Sequence, residues 1–254
     1  MPRGHSSSLH ISPACNRSLA ASNYAGTSDV HTVDFWETNA WTIWTDFLRP
    51  LLAAEVPARL VDVGCGFGLY NVYVSRHYSG RSKIVYFDDT VPTPVAADGH
   101  TGRKTISGYH KKANQMSFYR SDPACTHALA VANGVPARNV ELLRATEDNL
   151  RDLAGSAQLI YSHMSWGYHY PVATYAAAAY AALAPGGKLL LTVRDTRALE
   201  SARAAGFQPC ELRTRATHPT AYSCNGNPGC GILLCAKPWA ATAAAPSEAT
   251  KRTR

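Results

Sequence analysis

The stretch that decides the fold of this chain is Leu60-Val61-Asp62-Val63-Gly64-Cys65-Gly66-Phe67-Gly68. A short run rich in β-branched residues leads into glycines that occupy every second position. Glycine lacks a Cβ atom, so the backbone at these positions can take positive φ angles and a bound molecule can lie directly against it. The stretch therefore predicts a strand that runs into a ligand-binding turn.

The spacing of the three glycines separates this turn from a dinucleotide-binding turn. A dinucleotide-binding turn has its third glycine three residues after its second, whereas Gly64, Gly66 and Gly68 alternate with other residues. The form Asp-x-Gly-x-Gly-x-Gly, in which Asp62 is the acidic residue, resembles the first motif of the class I S-adenosylmethionine-dependent methyltransferases.

Three later segments support the same resemblance. Residues 83–87 predict a second strand, and Asp88 follows it 24 residues after Gly64. An open α/β sheet places an acceptor for ribose hydroxyls at a similar distance, roughly 20 residues after its glycine turn. Residues 157–162 predict the fourth strand. Residues 183–191 contain a Pro-Gly-Gly turn before an apolar strand and resemble the turn that precedes the fifth strand of the family.

Strands and helices alternate along the chain, which favours a mainly parallel sheet covered on both faces. The resemblance spans residues 59–235 and implies an α/β, Rossmann-like, doubly wound fold: a mainly parallel seven-stranded sheet with an antiparallel last strand and helices on both faces. We expect one methyltransferase domain at residues 33–238, between disordered tails at residues 1–32 and 239–254. For the serine-rich first tail, an organellar transit peptide is the alternative.

The resemblance also implies which residues bind the cofactor, S-adenosylmethionine. In the family, the first motif surrounds the methionine part of the cofactor, and the carboxylate that ends the second strand binds the ribose. The cofactor-binding residues implied in this way are Asp62, Gly64, Cys65, Gly66, Phe67, Gly68, Asp88, Asp89, Thr146, Glu147 and Ser162. Many relatives carry an aspartate after the third strand that bonds the adenine amino group. Thr146 stands at the matching position, so the adenine contact stays open.

The segment after the predicted fourth strand is expected to face the cofactor, because ligands of open α/β sheets bind outside the carboxyl ends of the strands. Methyl transfer to an alcohol requires removal of the acceptor proton, and histidine is a suitable base near neutral pH. His169 is our first candidate and His163 the second, with Tyr168 as a further catalytic candidate. The alternative for either histidine is a purely structural role. We expect Trp166 to shape the acceptor pocket or to stack near adenine.

The longest segment without periodicity is residues 90–121, between the second strand and the next predicted helix. Segments of this length are usually functional or disordered. We interpret it as a lid or substrate insertion; a solvated surface loop is the alternative. Its second half mixes aromatic and basic side chains, and its candidate acceptor contacts are Tyr109, His110, Lys111, Lys112 and Arg120.

The residues after the fourth strand bear on the acceptor. Ser162-His163-Met164-Ser165 stands where amino-group methyltransferases of nucleic acids carry a Pro-Pro-Tyr or Pro-Pro-Phe motif. The acidic cluster with which catechol-type enzymes hold Mg²⁺ is also missing there, so we expect no metal. A weaker resemblance links residues 165–171 to sugar O-methyltransferases. We therefore predict methyl transfer to a small-molecule acceptor, at an oxygen atom. The alternatives are an RNA methyltransferase and a non-catalytic, cofactor-binding regulatory subunit.

Composition narrows the partners and the compartment. The net charge of +7 lies partly in the two tails, which gives little support for nucleic acid binding. The sequence contains no apolar run of about 18 residues, so we expect no membrane span. Seven cysteines, an odd and scattered set, favour reduced thiols and a cytoplasmic location.

Overall fold

The computed structural model describes residues 9–13, 15, 33–88, 123–163, 165–168, 170–214 and 230–239. The strands in this part of the chain are β1 (Arg59–Val63), β2 (Lys83–Asp88), β3 (Val140–Arg144), β4 (Ala157–Ser162), β5 (Leu183–Val193), β6 (Cys210–Thr214) and β7 (Gly231–Ala236). They form one seven-stranded sheet in the order β3-β2-β1-β4-β5-β7-β6. Only β7 runs antiparallel to its neighbours, β5 and β6. The predicted sheet, with its antiparallel last strand, is confirmed.

The helices in the same ranges are α1 (Val33–Thr42), α2 (Tyr70–His77), α3 (Pro123–Ala132), α4 (Glu147–Arg151), α5 (Ala176–Ala182) and α6 (Arg197–Ala204). A π-helix (Ile43–Leu48) continues α1, and short 3₁₀ turns lie at Ala137–Asn139 and Val172–Thr174. Among these described helices, none has the length and apolar character needed to cross a membrane.

The two faces of the sheet are covered by different clusters of buried side chains. Leu60 of β1 belongs to the cluster that contains Leu129 of α3, whereas the next residue, Val61, belongs to the cluster that contains Ala179 of α5. Successive side chains of a strand point to opposite faces. Helices therefore cover both faces of the sheet, as predicted.

The parallel register brings the carboxyl ends of the central strands to one edge of the sheet. Val63, at the end of β1, is paired with Phe87 of β2, and Asp62 is paired with Tyr161 of β4. The segments that leave these three strands therefore begin side by side. In sheets of this kind that edge is where ligands bind.

The prediction of a disordered tail over residues 1–32 is wrong for residues 9–13 and 15. Leu9 is only 4% exposed and belongs to the hydrophobic core. The backbone N–H of His10 donates to Asn133 Oδ1 at 2.7 Å, and Asn133 Nδ2 donates to the carbonyl oxygen of His10 at 2.9 Å. The buried apolar side chain and this pair of hydrogen bonds hold the segment against the domain. At the other end, the ring of Trp239 lies against Gly186, and residues 240–254 lie outside the described residues.

The prediction of reduced thiols is also wrong. Cys15 is bonded to Cys125 and Cys210 to Cys235, and Cys230 is disulfide-bonded as well. Cys65 is the free cysteine of the described residues. Disulfides persist in oxidising compartments and are rare in the cytosol. The cytoplasmic location expected from the sequence therefore loses the support that reduced thiols would have given it.

We predict that mass spectrometry of an unreduced digest recovers a peptide pair that links Cys15 to Cys125. This bond joins residues 110 apart in sequence, and closing so long a loop stabilises a protein by about 4–5 kcal/mol in the chain-entropy model. Cys15→Ser should therefore lower the thermal midpoint by roughly 10 °C in unreduced protein. In reducing buffer the variant and the wild type should unfold together. Recovery of Cys15 and Cys125 as alkylated free thiols from unreduced protein would contradict the pairing.

Candidate functional site

The glycine turn connects β1 to α2 at the carboxyl edge of the sheet. Gly64, Gly66 and Gly68 have φ angles of 72°, 54° and 60°, values that residues with a Cβ rarely adopt. The N–H of Gly64 donates to the carbonyl oxygen of Phe87 at 2.7 Å, and the N–H of Gly68 donates to that of Cys65 at 2.8 Å. The alternating glycines are thus needed for the path of the backbone itself.

Two close contacts fix the turn from opposite sides. A Cβ on Gly64 would lie 1.8 Å from Oγ of Ser165, so the segment after β4 rests directly on the turn. A Cβ on Gly68 would lie 2.3 Å from the ring of Tyr86, which is fully buried in β2. Sequence reasoning missed Ser165, because the position of a loop can be predicted from the strand before it whereas the side chain that makes the contact cannot.

Asp88 lies at the end of β2, and its side chain is bonded to the turn. The N–H of Gly66 donates to Asp88 Oδ2 at 2.6 Å. The N–H of Ala145, just after β3, donates to the carbonyl oxygen of Asp88 at 2.9 Å. The hydroxyl of Thr126 on α3 donates to the carbonyl oxygen of Gly66 at 3.5 Å. The carboxylate and the glycine turn therefore form one unit that three elements hold in place.

Asp62 lies below the turn and is completely buried. Tyr70 donates its hydroxyl to Asp62 Oδ1 at 2.8 Å, and Asn71 Nδ2 donates to Asp62 Oδ2 at 2.7 Å. Burial raises the pKa of Asp62 to about 7, against the opposing effect of these two hydrogen bonds, and Asp88 adds a smaller rise. With no exposed surface, this carboxyl group can support the turn but cannot reach a ligand above it.

Cys65 and Phe67, between the glycines, are also buried. Burial raises the pKa of the Cys65 thiol well above its ordinary value, and the nearby carboxylates of Asp88 and Asp62 raise it further. The thiol is therefore protonated and is unsuited to act as a nucleophile.

The expectation that Trp166 lines the acceptor pocket is wrong. Its side chain is completely buried, and its indole Nε1 donates to the carbonyl oxygen of Val172 at 3.0 Å. Ser162 is equally buried: its hydroxyl donates to the carbonyl oxygen of Val63 at 2.7 Å and accepts from the N–H of Trp166 at 2.9 Å. Both side chains fasten the segment after β4 to the end of β1, so neither side chain is available to an acceptor or a cofactor.

His163 follows β4 and is 9% exposed. Its ring centroid lies 4.9 Å from that of Phe47 in the π-helix and 6.5 Å from that of Tyr70. Burial lowers the pKa of His163 to about 3. The imidazole is therefore neutral near pH 7 and a weak base, which favours the structural alternative for this histidine.

Tyr168 lies in a tight turn after Trp166. Its N–H donates to the carbonyl oxygen of Ser165 at 3.1 Å, and Gly167 has a φ of 90°, as the third residue of a type II turn requires. The guanidinium carbon of Arg194 lies 5.3 Å from the centre of the Tyr168 ring. This half-buried phenol is the one catalytic candidate whose side chain the structure describes near the surface of the loop.

Two of the predicted cofactor-binding residues, Thr146 and Glu147, lie at the start of α4. Thr146 is the N-cap residue, since its hydroxyl accepts from the N–H of Asn149 at 3.1 Å. Glu147 is exposed and pairs with Arg151 at 3.0 Å. Local helix contacts thus account for both side chains. The remaining candidates lie outside the described residues; they are Asp89, Tyr109, His110, Lys111, Lys112, Arg120 and His169, together with the whole predicted lid at residues 90–121.

Within the described ranges, no group of three or more His, Cys, Asp or Glu residues is arranged to hold a metal ion. Cys230 and Cys235 carry disulfides, so neither presents a thiolate.

Comparison with solved structures shows the same fold. The S-adenosylmethionine-dependent methyltransferase SibL, in its apo form, is 13% identical over 85% of this chain and 61% of its own, with a TM-score of 0.51. A protein described as a possible exported protein from Bordetella parapertussis is 11% identical over 87% of this chain and 78% of its own, also with a TM-score of 0.51. The chain thus spans about three fifths of the SibL chain. At these identities the likeness shows the fold alone.

Comparison of sequences identifies the family. No curated protein matches the chain. A family model described as a methyltransferase domain matches residues 35–224, well over half of the sequence. Together with the sheet order and the glycine turn, this match shows that the chain belongs to the methyltransferase-domain family, the class I S-adenosylmethionine-dependent methyltransferases.

Proposed function

We propose that this chain transfers the methyl group of S-adenosylmethionine to an oxygen atom of a small molecule. The observation that carries the proposal is the hydrogen bond between Asp88 and Gly66, at 2.6 Å. It joins an acceptor for ribose hydroxyls to a turn whose backbone a ligand can approach closely. Ser165, resting on Gly64, places the segment after β4 at the same edge.

The residues at this edge fit S-adenosylmethionine. Its ribose hydroxyls need acceptors, which the Asp88 carboxylate supplies, and its methionine part needs backbone without side chains, which Gly66 supplies. When bound, the cofactor supplies a methyl group on a positively charged sulfur. The task of the protein is to hold the acceptor oxygen in line with that methyl group and to exclude water, and positioning of this kind lowers reaction barriers substantially.

An alcohol acceptor must also lose its proton. We assign this step to His169, which follows Tyr168 on the segment after β4. His163 is less suited, because its pKa is lowered by burial to about 3. In the proposed step the acceptor oxygen bonds to the methyl carbon as the carbon–sulfur bond breaks, and the acceptor proton passes to the imidazole of His169. The sulfur leaves as a neutral thioether.

The acceptor class is supported by the residues after β4. His163-Met164-Ser165 lacks the Pro-Pro-Tyr type of motif that amino-group methyltransferases of nucleic acids carry. A screen with isotope-labelled S-adenosylmethionine against separate small-molecule and RNA fractions of a cell extract tests this assignment. Label is expected in the small-molecule fraction, in an alkali-stable ether linkage. Label confined to RNA would support the RNA methyltransferase alternative. Cofactor binding without any transfer would support the regulatory-subunit alternative.

We predict that Asp88→Ala weakens S-adenosylmethionine binding about tenfold to a hundredfold. A hydrogen bond to a charged group contributes about 1.5–3 kcal/mol, which corresponds to that change in affinity. Asp88→Asn is the matched control, because its amide oxygen can still accept from the N–H of Gly66 while the charge is lost; it should bind with intermediate affinity. Calorimetric titration measures all three proteins. Unchanged affinity in Asp88→Ala would remove the ribose-binding role.

A further inference from the structure

A chain of buried hydrogen bonds runs beneath the glycine turn and ends on Asp62. The hydroxyl of Tyr161 donates to Asn71 Oδ1 at 2.5 Å, Asn71 Nδ2 donates to Asp62 Oδ2 at 2.7 Å, and the hydroxyl of Tyr70 donates to Asp62 Oδ1 at 2.8 Å. Asp62, Asn71 and Tyr161 are completely buried, and Tyr70 is 7% exposed. The chain links β4, α2 and β1, whose ends meet at the proposed cofactor site.

When Asp62 is ionised, only one assignment of donors and acceptors satisfies all of these hydrogen bonds. A side-chain amide can present either its oxygen or its nitrogen to a neighbour. If the Asn71 amide turned over, the hydroxyl proton of Tyr161 would lose its acceptor inside the core, and an unsatisfied buried donor is costly. The Tyr161 hydroxyl therefore selects the amide orientation in which Asn71 donates to Asp62.

The hydrogen bonds to Asp62 lie where they can hold the shape of the glycine turn. Asp62 stands two residues before Gly64, on the limb of the turn that leaves β1, whereas Tyr70 and Asn71 stand just after Gly68, on the limb that enters α2. The hydrogen bonds to Asp62 therefore join the two limbs from below. A Cβ on Gly68 would lie 3.2 Å from Asn71 Nδ2, so the amide also lies against the turn.

We propose that Tyr161 and Asn71 are positioning residues for the cofactor turn: Tyr161 orients the Asn71 amide, which together with Tyr70 holds the ionised Asp62 carboxylate between the limbs of the turn. The positioning role is argued from the hydrogen-bond geometry. Its expected effect on cofactor binding rests on the proposed function.

Opposing effects act on the pKa of Asp62. Burial raises its pKa to about 7, the carboxylate of Asp88 adds to the rise, and the donors Asn71 and Tyr70 oppose it. The other titratable groups around it stay uncharged between about pH 5 and pH 9, because burial raises the pKa values of Cys65, Tyr70, Tyr86 and Tyr161 and lowers that of His163. Loss of a donor should therefore shift the titration of Asp62 to higher pH.

The linkage between proton binding and folding gives the sign of the expected effect. Because the folded pKa of Asp62 lies above the unfolded value, stability falls as the pH rises from the unfolded pKa to the folded pKa, and then levels off. Tyr161→Phe should raise the folded pKa further, so its stability should continue to fall above about pH 7. The penalty of Tyr161→Phe should thus be larger at high pH than at low pH.

The test is chemical denaturation of the wild type, Tyr161→Phe and Tyr78→Phe at about pH 5 and about pH 9. Tyr78 is the matched control. It is a buried tyrosine whose hydroxyl donates at 3.0 Å to the backbone carbonyl oxygen of Ala53, a group that does not titrate. The penalty is the ratio of the folding equilibrium constant of the wild type to that of Tyr161→Phe. We expect this ratio to be at least about tenfold larger at about pH 9 than at about pH 5. The Tyr78→Phe penalty should stay constant. A pH-independent penalty for Tyr161→Phe would overturn the proposal.

Cofactor binding gives a second readout that a purely structural tyrosine would not change. Tyr161→Phe should bind S-adenosylmethionine more weakly than Tyr78→Phe, and the deficit should widen at high pH. In the Asp62→Asn background, where no carboxylate can ionise, the deficit should not change with pH. Absence of binding by the wild type would refute the proposed function, while the denaturation data would still decide the proposal. If Tyr161→Phe does not fold, Asn71→Ala takes its place, because it removes the amide that donates to Asp62 Oδ2. Its penalty relative to the wild type should grow as the pH rises, and a constant penalty would overturn the proposal.

Discussion

Replacing Gly68 by alanine is expected to weaken S-adenosylmethionine binding about a hundredfold. The new Cβ would lie 2.3 Å from the ring of Tyr86, which is completely buried. The φ angle of 60° at Gly68 adds strain of about 1–2 kcal/mol for a residue with a side chain. Either the ring or the turn must shift, and in both cases the turn loses the shape that the cofactor needs.

Gly155→Ala is the matched control for this variant. Gly155 has a φ of 65°, so alanine meets the same backbone strain, but no atom lies within 4 Å of its Cβ position. It precedes β4, at the opposite edge of the sheet from the proposed site. Gly155→Ala should therefore lose stability and keep its affinity. Calorimetric titration of both folded variants measures the difference, and equal affinities would show that the glycine turn does not bind the cofactor.

His169→Ala is expected to lower turnover about 10²–10⁴-fold, the usual contribution of a general base. Cofactor affinity should be retained, because the change leaves the glycine turn intact. The rate of the wild type should fall at low pH as the imidazole is protonated, and the variant should lack this acidic limb. Steady-state kinetics over a range of pH, with an acceptor found in the extract screen, measures both effects.

His163→Ala is the control on the same segment. Burial lowers the pKa of His163 to about 3, so this residue does not titrate in the range where the acidic limb is expected. His163→Ala should keep the limb, whatever its effect on stability. If His163→Ala loses the acidic limb of the pH–rate profile while His169→Ala keeps near-normal turnover, His163 and not His169 is the general base.

The parts of the fold that the sequence predicted are those with strong local patterns. Residues 157–162 form β4 as expected, because a short apolar run with polar flanks suits a strand buried on both faces. The glycine turn was also predictable, since its three glycines are required by local backbone angles. The segment just before α5 has no such local pattern: a 3₁₀ turn (Val172–Thr174) is followed by Tyr175, whose φ of −124° separates the turn from α5.

The parts that the sequence could not predict depend on where side chains point in three dimensions. Trp166 and Tyr168 are two residues apart on one loop, yet Trp166 is completely buried and Tyr168 is half-buried beside Arg194. Composition gave no means of separating an aromatic ring that supports the loop from one that could meet an acceptor. The network of Tyr161, Asn71 and Asp62 was missed for the same reason, because the hydrogen bond from Tyr161 to Asn71 joins residues 90 positions apart in sequence.

Contacts of long sequence separation also explain the errors at the amino-terminal end. Residues 9–13 lie in a stretch whose composition is typical of disorder, and their order depends on single contacts with distant residues. Asn133 bonds the backbone of His10 across 123 positions, and Cys15 is joined to Cys125. No pattern within the stretch itself encodes these partners.

The central claim is that the glycine turn and Asp88 form a binding site for S-adenosylmethionine. Calorimetric titration of the folded wild-type chain with S-adenosylmethionine and with S-adenosylhomocysteine, in the presence of a chelator, tests it most directly. The account predicts that each ligand binds at one site without added metal, and that Asp88→Ala weakens both. Absence of measurable binding to the folded chain, or equal affinity in wild type and Asp88→Ala, would contradict it.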